Sequence, residues 1–207
     1  MGRRAAVEAI GRYDSLIRFL CDKHSWPWWL RIKAQLLAES SMNPKAVSPV
    51  GARGLAQFMD ATWAQWGNGE DPTNPEAAID ACIRYMKWLY SRFEGVAEPD
   101  RYMFALAAYN AGIGNIQKML SLATPQQRSL WVLASRLLDQ VTGSQNAAAT
   151  RAYVQRVMET AQQWEASQLE PRDVAALLRG VADALEGKAA TWLQVRRRLA
   201  VMGREPA

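Results

Sequence analysis

The sequence predicts an all-α fold, and three observations support this prediction. Apolar residues recur at spacings of three and four along most of the chain, which is typical of one face of an α-helix. Alternating apolar and polar runs, which would indicate β-strands, are nearly absent. Hydrophobic residues make up 49% of the 207 residues and charged residues 22%, so the chain can fill a helical core.

Capping and helix-breaking residues predict where the helices begin and end. We expect Ser25 to cap the second helix, with Pro27 in its first turn, and Asn74-Pro75 to open the fourth. A helix that starts at Asp100 should stop at Gly112. The segment over 42–50 contains two prolines and an asparagine and is predicted to be a loop. The predicted helices cover about 5–22, 25–40, 52–66, 74–93, 100–112, 125–141 and 148–168.

Pro171 interrupts the helical periodicity near the end of the sequence. Beyond it the pattern predicts two short helices, about 172–186 and 189–201. We therefore divide the chain into a main domain over 1–169 and a helical C-terminal extension over 170–207. The first helix of the extension has an apolar stripe, which either packs on the main domain or docks on another molecule. The stripe consists of Val174, Leu177, Leu178, Val181 and Leu185.

Composition restricts the classes of partner and site. The formal net charge of +5 favours anionic partners, but the basic residues are too scattered for a stripe that follows phosphates, so no nucleic acid is expected. The single histidine, His24, excludes His-based triads and multi-histidine metal sites. Cys21 and Cys82 are expected to be buried free thiols. No apolar stretch reaches the roughly 20 residues of a membrane span.

Glu39 is the first candidate for chemistry. It follows Trp29, Ile32 and Leu36 at helical spacing, so these four residues share one face of the second predicted helix. A carboxyl group at the end of an apolar stripe is partly desolvated. Desolvation raises its pKa toward the range that a general acid requires. The same pattern is also typical of a solvated or capping glutamate.

Three sequence motifs, one of which contains Glu39, indicate further residues of the same candidate site. AESSMNPKAVSPVGARGLAQFMDAT spans 38–62, AYNAG spans 108–112 and TRAYVQRV spans 150–157. In this order and spacing they resemble the active-site motifs of the soluble lytic transglycosylase family, which is related to goose-type lysozymes. The resemblance covers about residues 15–165. Ala56 and Asp60 depart from the usual family form, which has Met and Pro at these positions, and a change in subsite shape is the expected consequence.

The resemblance implies a lysozyme-like domain that cleaves the glycan strands of peptidoglycan without a metal or cofactor. Glu39 would protonate the oxygen leaving from the MurNAc-β-1,4-GlcNAc bond, with help from the substrate's N-acetyl group. It would then take the proton of the MurNAc 6-hydroxyl, which closes a 1,6-anhydro ring. The substrate-binding residues implied by the resemblance are Ser48, Gln57, Met59, Tyr109, Asn110 and Tyr153.

The chemistry of these residue types agrees with the implied site. Gly51 and Gly54 allow the backbone to turn sharply and to approach a sugar closely. Asn110 can hold either a sugar or the carboxyl of Glu39 with its amide. Tyr109 and Tyr153 offer a ring for packing and a hydroxyl that could orient the carboxyl.

Two other functions remain open at the level of sequence. A goose-lysozyme-like hydrolase would use a water positioned by a second carboxylate, for which Asp71 and Asp60 are the candidates. A structural virion or secretion component could keep the fold and only bind glycan. The N-terminal sequence does not look like an export signal, because Glu8, Arg12 and Asp14 interrupt any apolar stretch. We therefore expect synthesis in the cytoplasm and a bacteriophage protein, carried in the virion or released through a holin.

Overall fold

The computed structural model describes residues 10–168, which are mainly helical. Within this range β-structure is limited to two isolated bridges, Val47–Arg53 and Arg53–Phe58, so the all-α prediction is confirmed. The helices are α1 (Asp14–Lys23), α2 (Trp29–Ser40), α3 (Asp60–Trp66), α4 (Pro75–Ser91), α5 (Asp100–Ala111), α6 (Ile113–Leu122), α7 (Pro125–Arg128), α8 (Trp131–Ala134), α9 (Asp139–Thr142) and α10 (Ser144–Ser167), with a 3-10 turn at Ser135–Leu138 between α8 and α9.

The chain forms two compact units, Met1–Thr160 and Ala161–Ala207. Of the second unit the structure describes residues 161–168, which contain the end of α10. The helices predicted at 172–186 and 189–201, and the apolar stripe of the extension, lie outside the described residues. None of the helices within 10–168 has both the length and the apolar character that a membrane span requires.

Helix α4 lies in the core and forms as the sequence predicts. The side chain of Asn74 accepts hydrogen bonds from the backbone N–H groups of Glu76 and Ala77, and Pro75 occupies the first helical position. The apolar stripe along α4 faces inward and is buried, except that Tyr90 is partly exposed. Its buried members are Ile79, Ile83, Met86 and Leu89, and Phe93 continues it just after the helix ends.

The predicted start of α2 at Ser25 is wrong, because Ser25 and Trp26 complete the end of α1. The N–H of Ser25 donates to the carbonyl of Asp22, and the N–H of Trp26 donates to that of Cys21. Ser25 adopts a positive φ of 50°, which reverses the chain. Helix α2 begins only at Trp29 and ends at Ser40, as predicted for its C-terminal end.

The prediction of one helix over 52–66 is wrong in its first half. Residues 52–59 form a turn in which Arg53 and Phe58 exchange backbone hydrogen bonds of 3.0 and 3.2 Å. Positive φ values at Gly54 and Gln57 are incompatible with a continuous α-helix. Only the second half of the predicted segment is helical, as α3.

Two further differences follow α5. Gly112 ends α5 as predicted, but Gly114 lies inside α6, a helix that the sequence did not predict. The segment predicted as one helix over 125–141 is divided into short pieces, because Leu130 is extended and the N–H of Trp131 is capped by Asp100 Oδ1 at 2.7 Å. Such local breaks depend on contacts that periodicity does not reveal.

Candidate active site

Glu39 lies in the last turn of α2, where its neighbours end the helix. The hydroxyl of Ser40 donates back to the carbonyl of Leu36 at 3.1 Å, and Ser41 adopts the left-handed conformation that closes the helix. Ile32 and Leu36, on the same face as Glu39, are completely buried. Glu39 as a whole residue is only partly exposed, between the buried face of α2 and the surface.

The carboxyl of Glu39 has the protonation behaviour that its sequence position predicted. Burial raises its pKa from 4.5 to about 7, and this effect outweighs two that lower it. Those two are the hydrogen bond from Tyr153 and the positive charge of Arg156. Near neutral pH the group is therefore divided between its acid and base forms, which suits a residue that must both give and take a proton.

Tyr153 holds this carboxyl from α10, 114 residues away in sequence. Its hydroxyl donates a hydrogen bond of 2.7 Å to Glu39 Oε1. Tyr153 is only 4% exposed, and burial raises the pKa of its hydroxyl well above the usual value. The hydroxyl therefore remains protonated and acts as a donor. Of the two tyrosines predicted to orient the carboxyl, the structure assigns this contact to Tyr153.

Tyr109 takes a different part in the same region. Its hydroxyl donates to the backbone carbonyl of Ala56 at 2.7 Å, which ties the turn before α3 to the end of α5. Burial is the main cause that raises the pKa of Tyr109, and the charge of Glu39 contributes. Tyr109 thus lies beside the carboxyl while its hydrogen bond supports the backbone.

Asn110 is exposed, and its side-chain oxygen accepts a hydrogen bond from the hydroxyl of Thr150 at 2.9 Å. The prediction left open whether Asn110 holds a sugar or the carboxyl of Glu39. The carboxyl is held by Tyr153, and the amide oxygen of Asn110 is engaged with α10. The amide nitrogen of Asn110 takes no part in this bond and can donate to another acceptor.

The segment between α2 and α3, residues 41–59, is held by side chains that bond to its own backbone. Ser48 Oγ accepts from the N–H of Ala52 at 2.9 Å. Gln57 Nε2 donates to the carbonyls of Ala46 and Gly54 at 3.2 and 2.9 Å. These bonds leave the hydroxyl hydrogen of Ser48 and the side-chain oxygen of Gln57 for a ligand.

The two glycines of this segment differ in their surroundings. A Cβ atom on Gly54 would lie 1.9 Å from the carbonyl oxygen of Pro72, whereas a Cβ on Gly51 would meet nothing within 4 Å. Gly54 therefore makes its close approach to the chain's own backbone at Pro72, and not to a sugar as predicted. Gly51 alone retains the predicted freedom to approach a sugar.

Exposed apolar side chains cluster in the same segment. Met59 is 46% exposed, and Val47 and Val50 are more exposed still. Exposed apolar residues in one short segment mark a surface suited to apolar contact with a ligand. Met59 therefore lies on the surface, where its predicted role requires it.

Asp60 and Asp71, the candidates for a second catalytic carboxylate, are engaged in local structure. Asp60 forms an ion pair of 2.6 Å with Arg53 and is highly exposed. Asp71 accepts hydrogen bonds from the N–H and hydroxyl of Thr73, both at 2.8 Å, and these bonds lower its pKa. Within the described residues, the charged side chain that shifts the pKa of Glu39 is Arg156.

Thr150 and Arg156 were not singled out by the sequence analysis. They lie three residues before and three residues after Tyr153 on α10, so the three side chains share one helical face. Both residues lie within the motif TRAYVQRV, whose resemblance to an active-site motif was the available signal. The motif does not show, however, that Thr150 contacts Asn110 or that Arg156 acts on Glu39.

The cysteines agree with their prediction. Cys21 and Cys82 are both free and buried, and burial raises the pKa of the Cys21 thiol to about 12. In residues 10–168 no three His, Cys, Asp or Glu side chains are grouped so that they could hold a metal ion.

Comparison with known proteins identifies the fold family. Residues 27–132, just over half of the chain, match the family described as the transglycosylase SLT domain. The membrane-bound lytic murein transglycosylase F of Alteromonas mediterranea is 34% identical over 150 residues, which are 71% of this chain and 32% of that protein. The protein of the same name from Maricaulis maris is 37% identical over 121 residues, 58% of this chain and 26% of the relative.

A solved structure agrees with the sequence matches. The crystal structure of the 70 kDa soluble lytic transglycosylase from Escherichia coli is similar with a TM-score of 0.55 and 25% identity, over 70% of this chain and 23% of that chain. The chain spans about a third or less of the length of these relatives. The matched residues 27–132 include Glu39, the 41–59 segment and Asn110. The chain therefore belongs to the transglycosylase SLT domain family and has its lysozyme-like, all-α fold.

Proposed function

We propose that the chain cleaves the MurNAc-β-1,4-GlcNAc bond of peptidoglycan glycan strands as a lytic transglycosylase, leaving a 1,6-anhydroMurNAc end. The observation that carries this proposal is the carboxyl of Glu39, which has a pKa of about 7 and is held by Tyr153. Family membership supports the reaction class, since the relatives are named lytic transglycosylases.

In the first step, Glu39 gives its proton to the bridging oxygen while the bond from that oxygen to C1 of MurNAc breaks. The carbonyl oxygen of the substrate's N-acetyl group bonds to C1 and takes the place of a second carboxylate. In the second step, the 6-hydroxyl attacks C1 and the N-acetyl group is released. Glu39, now a carboxylate, receives the 6-hydroxyl proton, so the acid is regenerated and no water is consumed.

The polar groups around Glu39 are suited to holding the sugars. The hydroxyl of Ser48 can donate, the side-chain oxygen of Gln57 can accept, and the amide nitrogen of Asn110 can donate. Met59 offers an exposed apolar contact. The hydroxyl of Tyr109 holds the turn before α3, and the hydroxyl of Tyr153 holds the carboxyl of Glu39, so both support the site through protein contacts.

The products of digestion test the proposal. Purified peptidoglycan should yield muropeptides that end in 1,6-anhydroMurNAc, which mass spectrometry distinguishes from reducing ends because they are lighter by one water. Chiefly reducing-end MurNAc would instead establish the hydrolase. Absence of cleavage, with binding to glycan retained, would establish the structural component.

We also propose a setting and a role for the extension, as the sequence analysis suggests. The protein would act on the bacterial wall as a bacteriophage component, in the virion or after release through a holin, while the named relatives are bacterial. Detection in purified virions by mass spectrometry tests the setting.

A chain ending near Leu169 should still cleave soluble glycan within severalfold of the parental rate but lose incorporation or wall retention. If this truncated chain aggregates or melts much lower, residues 170–207 belong to the catalytic core.

A further inference from the structure

One face of α10 makes three successive approaches to the candidate site. Thr150 bonds to Asn110, Tyr153 bonds to Glu39, and the charge of Arg156 acts on Glu39. Three residues advance an α-helix by roughly 4.5 Å, so Asn110 meets α10 about one turn from the point where Glu39 meets it. The helix is held by Arg151, which pairs with Asp139 at 2.6 Å and donates to the carbonyl of Ser135 at 2.9 Å.

The hydroxyl of Thr150 is directed toward a distant partner. A threonine inside a helix commonly bonds to the carbonyl four residues before it. Thr150 is only 3% exposed, and its hydroxyl donates instead to Asn110 Oδ1, 40 residues away in sequence. A hydroxyl has a single hydrogen to donate, so this bond uses it.

Asn110 gains a defined orientation from this contact. It is exposed at the end of α5, and the two ends of an amide have opposite hydrogen-bonding properties. A free amide could present either its oxygen or its nitrogen to a sugar. With the oxygen held by a buried hydroxyl, the nitrogen is presented, and it can bind only an acceptor.

We propose that Thr150 is a positioning residue that fixes the amide of Asn110, so that its nitrogen donates to an acceptor oxygen of the glycan, such as the carbonyl of an N-acetyl group. Thr150 does not touch the substrate and acts only through Asn110. This inference rests on the proposed glycan-cleaving function. It adds a residue that determines which group of the sugar Asn110 recognises. This contact lies about one turn of α10 from the contact with Glu39.

Isosteric substitution tests the role of Thr150. Thr150→Val removes the hydroxyl with little change in shape and should lower kcat/KM on glycan about tenfold, with a smaller change in thermal midpoint than in activity. Thr150→Ser keeps the hydroxyl and should restore kcat/KM to within about threefold of the parent. Thr142→Val is the matched control, since within residues 10–168 the hydroxyl of Thr142 bonds to the nearby backbone carbonyls of Leu138 and Gly143.

A double-mutant cycle with Asn110→Ala separates positioning from general support. If Thr150 acts through Asn110, Thr150→Val should cost less than about twofold when Asn110 is already alanine. A tenfold loss in both backgrounds overturns the inference. Asn110→Asp keeps an acceptor for Thr150 but removes the outward donor, so it should be no more active than Asn110→Ala. Greater activity of the aspartate variant would mean that the amide oxygen faces the sugar, and would also overturn the inference.

Failure of the inference is distinguishable from failure of the proposed function. If the parent does not cleave glycan, the function itself is wrong, and if it cleaves glycan without dependence on Glu39, the acid is misassigned. If the parent cleaves glycan through Glu39 and Thr150→Val equals the parent, only the role of Thr150 is wrong.

Discussion

The carboxyl of Glu39 and the 41–59 segment that follows it are held in place by different means. Glu39 stands on a helix whose neighbouring face is buried, and a hydrogen bond from Tyr153 orients it. The 41–59 segment has no helix and is held by backbone turns and by the side chains of Ser48 and Gln57. Burial therefore sets the pKa of Glu39, whereas turn geometry shapes the exposed surface of the 41–59 segment.

Substitutions in the two regions should therefore change different measured quantities. Changes at Glu39 and its partners should alter the rate and its pH dependence more than the stability. Changes in the 41–59 backbone should alter stability first and activity as a consequence. Four substitutions, taken from the largest expected effect to the smallest, test this separation.

Glu39→Gln should abolish wall clearing while the fold is kept, because the amide has nearly the shape of the acid but no proton to transfer. We expect kcat to fall by about three orders of magnitude or more, measured by release of soluble muropeptides. Activity within about tenfold of the parent would show that another residue is the acid.

The same variant has a stability readout that serves as its control. Folding holds the pKa of Glu39 at about 7, against 4.5 in an unfolded chain, so the folded state favours the protonated form. The parent should therefore lose stability, by at most about 3 kcal/mol, as the pH rises from 4.5 through 7. Glu39→Gln lacks this loss. The thermal midpoint of the variant minus that of the parent should therefore increase between pH 5 and pH 8. No such rise would mean that the carboxyl is not desolvated.

Gly54→Ala should be the most destabilising change in the 41–59 segment. Its φ is +78°, and the added Cβ would lie 1.9 Å from the backbone oxygen of Pro72. We expect a loss of about 3 kcal/mol in the free energy of unfolding, measured in urea. Gly51→Ala, at a φ of +89° with open space around it, should cost only about 1 kcal/mol. Equal losses would mean that the contact with Pro72 does not hold the turn.

Tyr153→Phe should lower kcat about tenfold, because the carboxyl loses the hydrogen bond that orients it. The same bond lowers the pKa of Glu39, so its loss should also move the alkaline limb of the rate profile to higher pH. Tyr102→Phe is the matched control, since the hydroxyl of Tyr102 is buried and makes no hydrogen bond within residues 10–168. A similar fall in kcat for both variants would contradict the assignment.

Arg156→Gln should have the smallest effect. Removing a positive charge near Glu39 favours the protonated acid and raises its pKa, so activity should extend to higher pH with less than about a threefold change at the optimum. Arg156→Lys keeps the charge and should leave the alkaline limb where it is. A shift toward lower pH in the glutamine variant would show that the sign of this interaction is wrong.

Local signals in the sequence were sufficient for part of the fold and of the site. The cap at Asn74-Pro75, the inward stripe of α4 and the stop at Gly112 all involve residues within a few positions of one another. Helix α6 was not predicted and the segment over 52–59 was wrongly predicted as helix, because local helix-breaking and helix-forming tendencies are overridden there by backbone bonds and tertiary contacts. The motif around Glu39 indicated the candidate acid because its characteristic residues lie within about 20 positions of one another in the sequence.

Periodicity and short motifs act over a few residues, so the all-α class, the family motifs and the candidate acid could be predicted without a structure. Tertiary contacts were needed to show which tyrosine holds Glu39, that Thr150 holds Asn110, and that Gly54 packs on Pro72. These contacts join residues between 18 and 114 positions apart. No local pattern encodes them, because they depend on how α10 and the turn before α3 pack against the helices that carry the site.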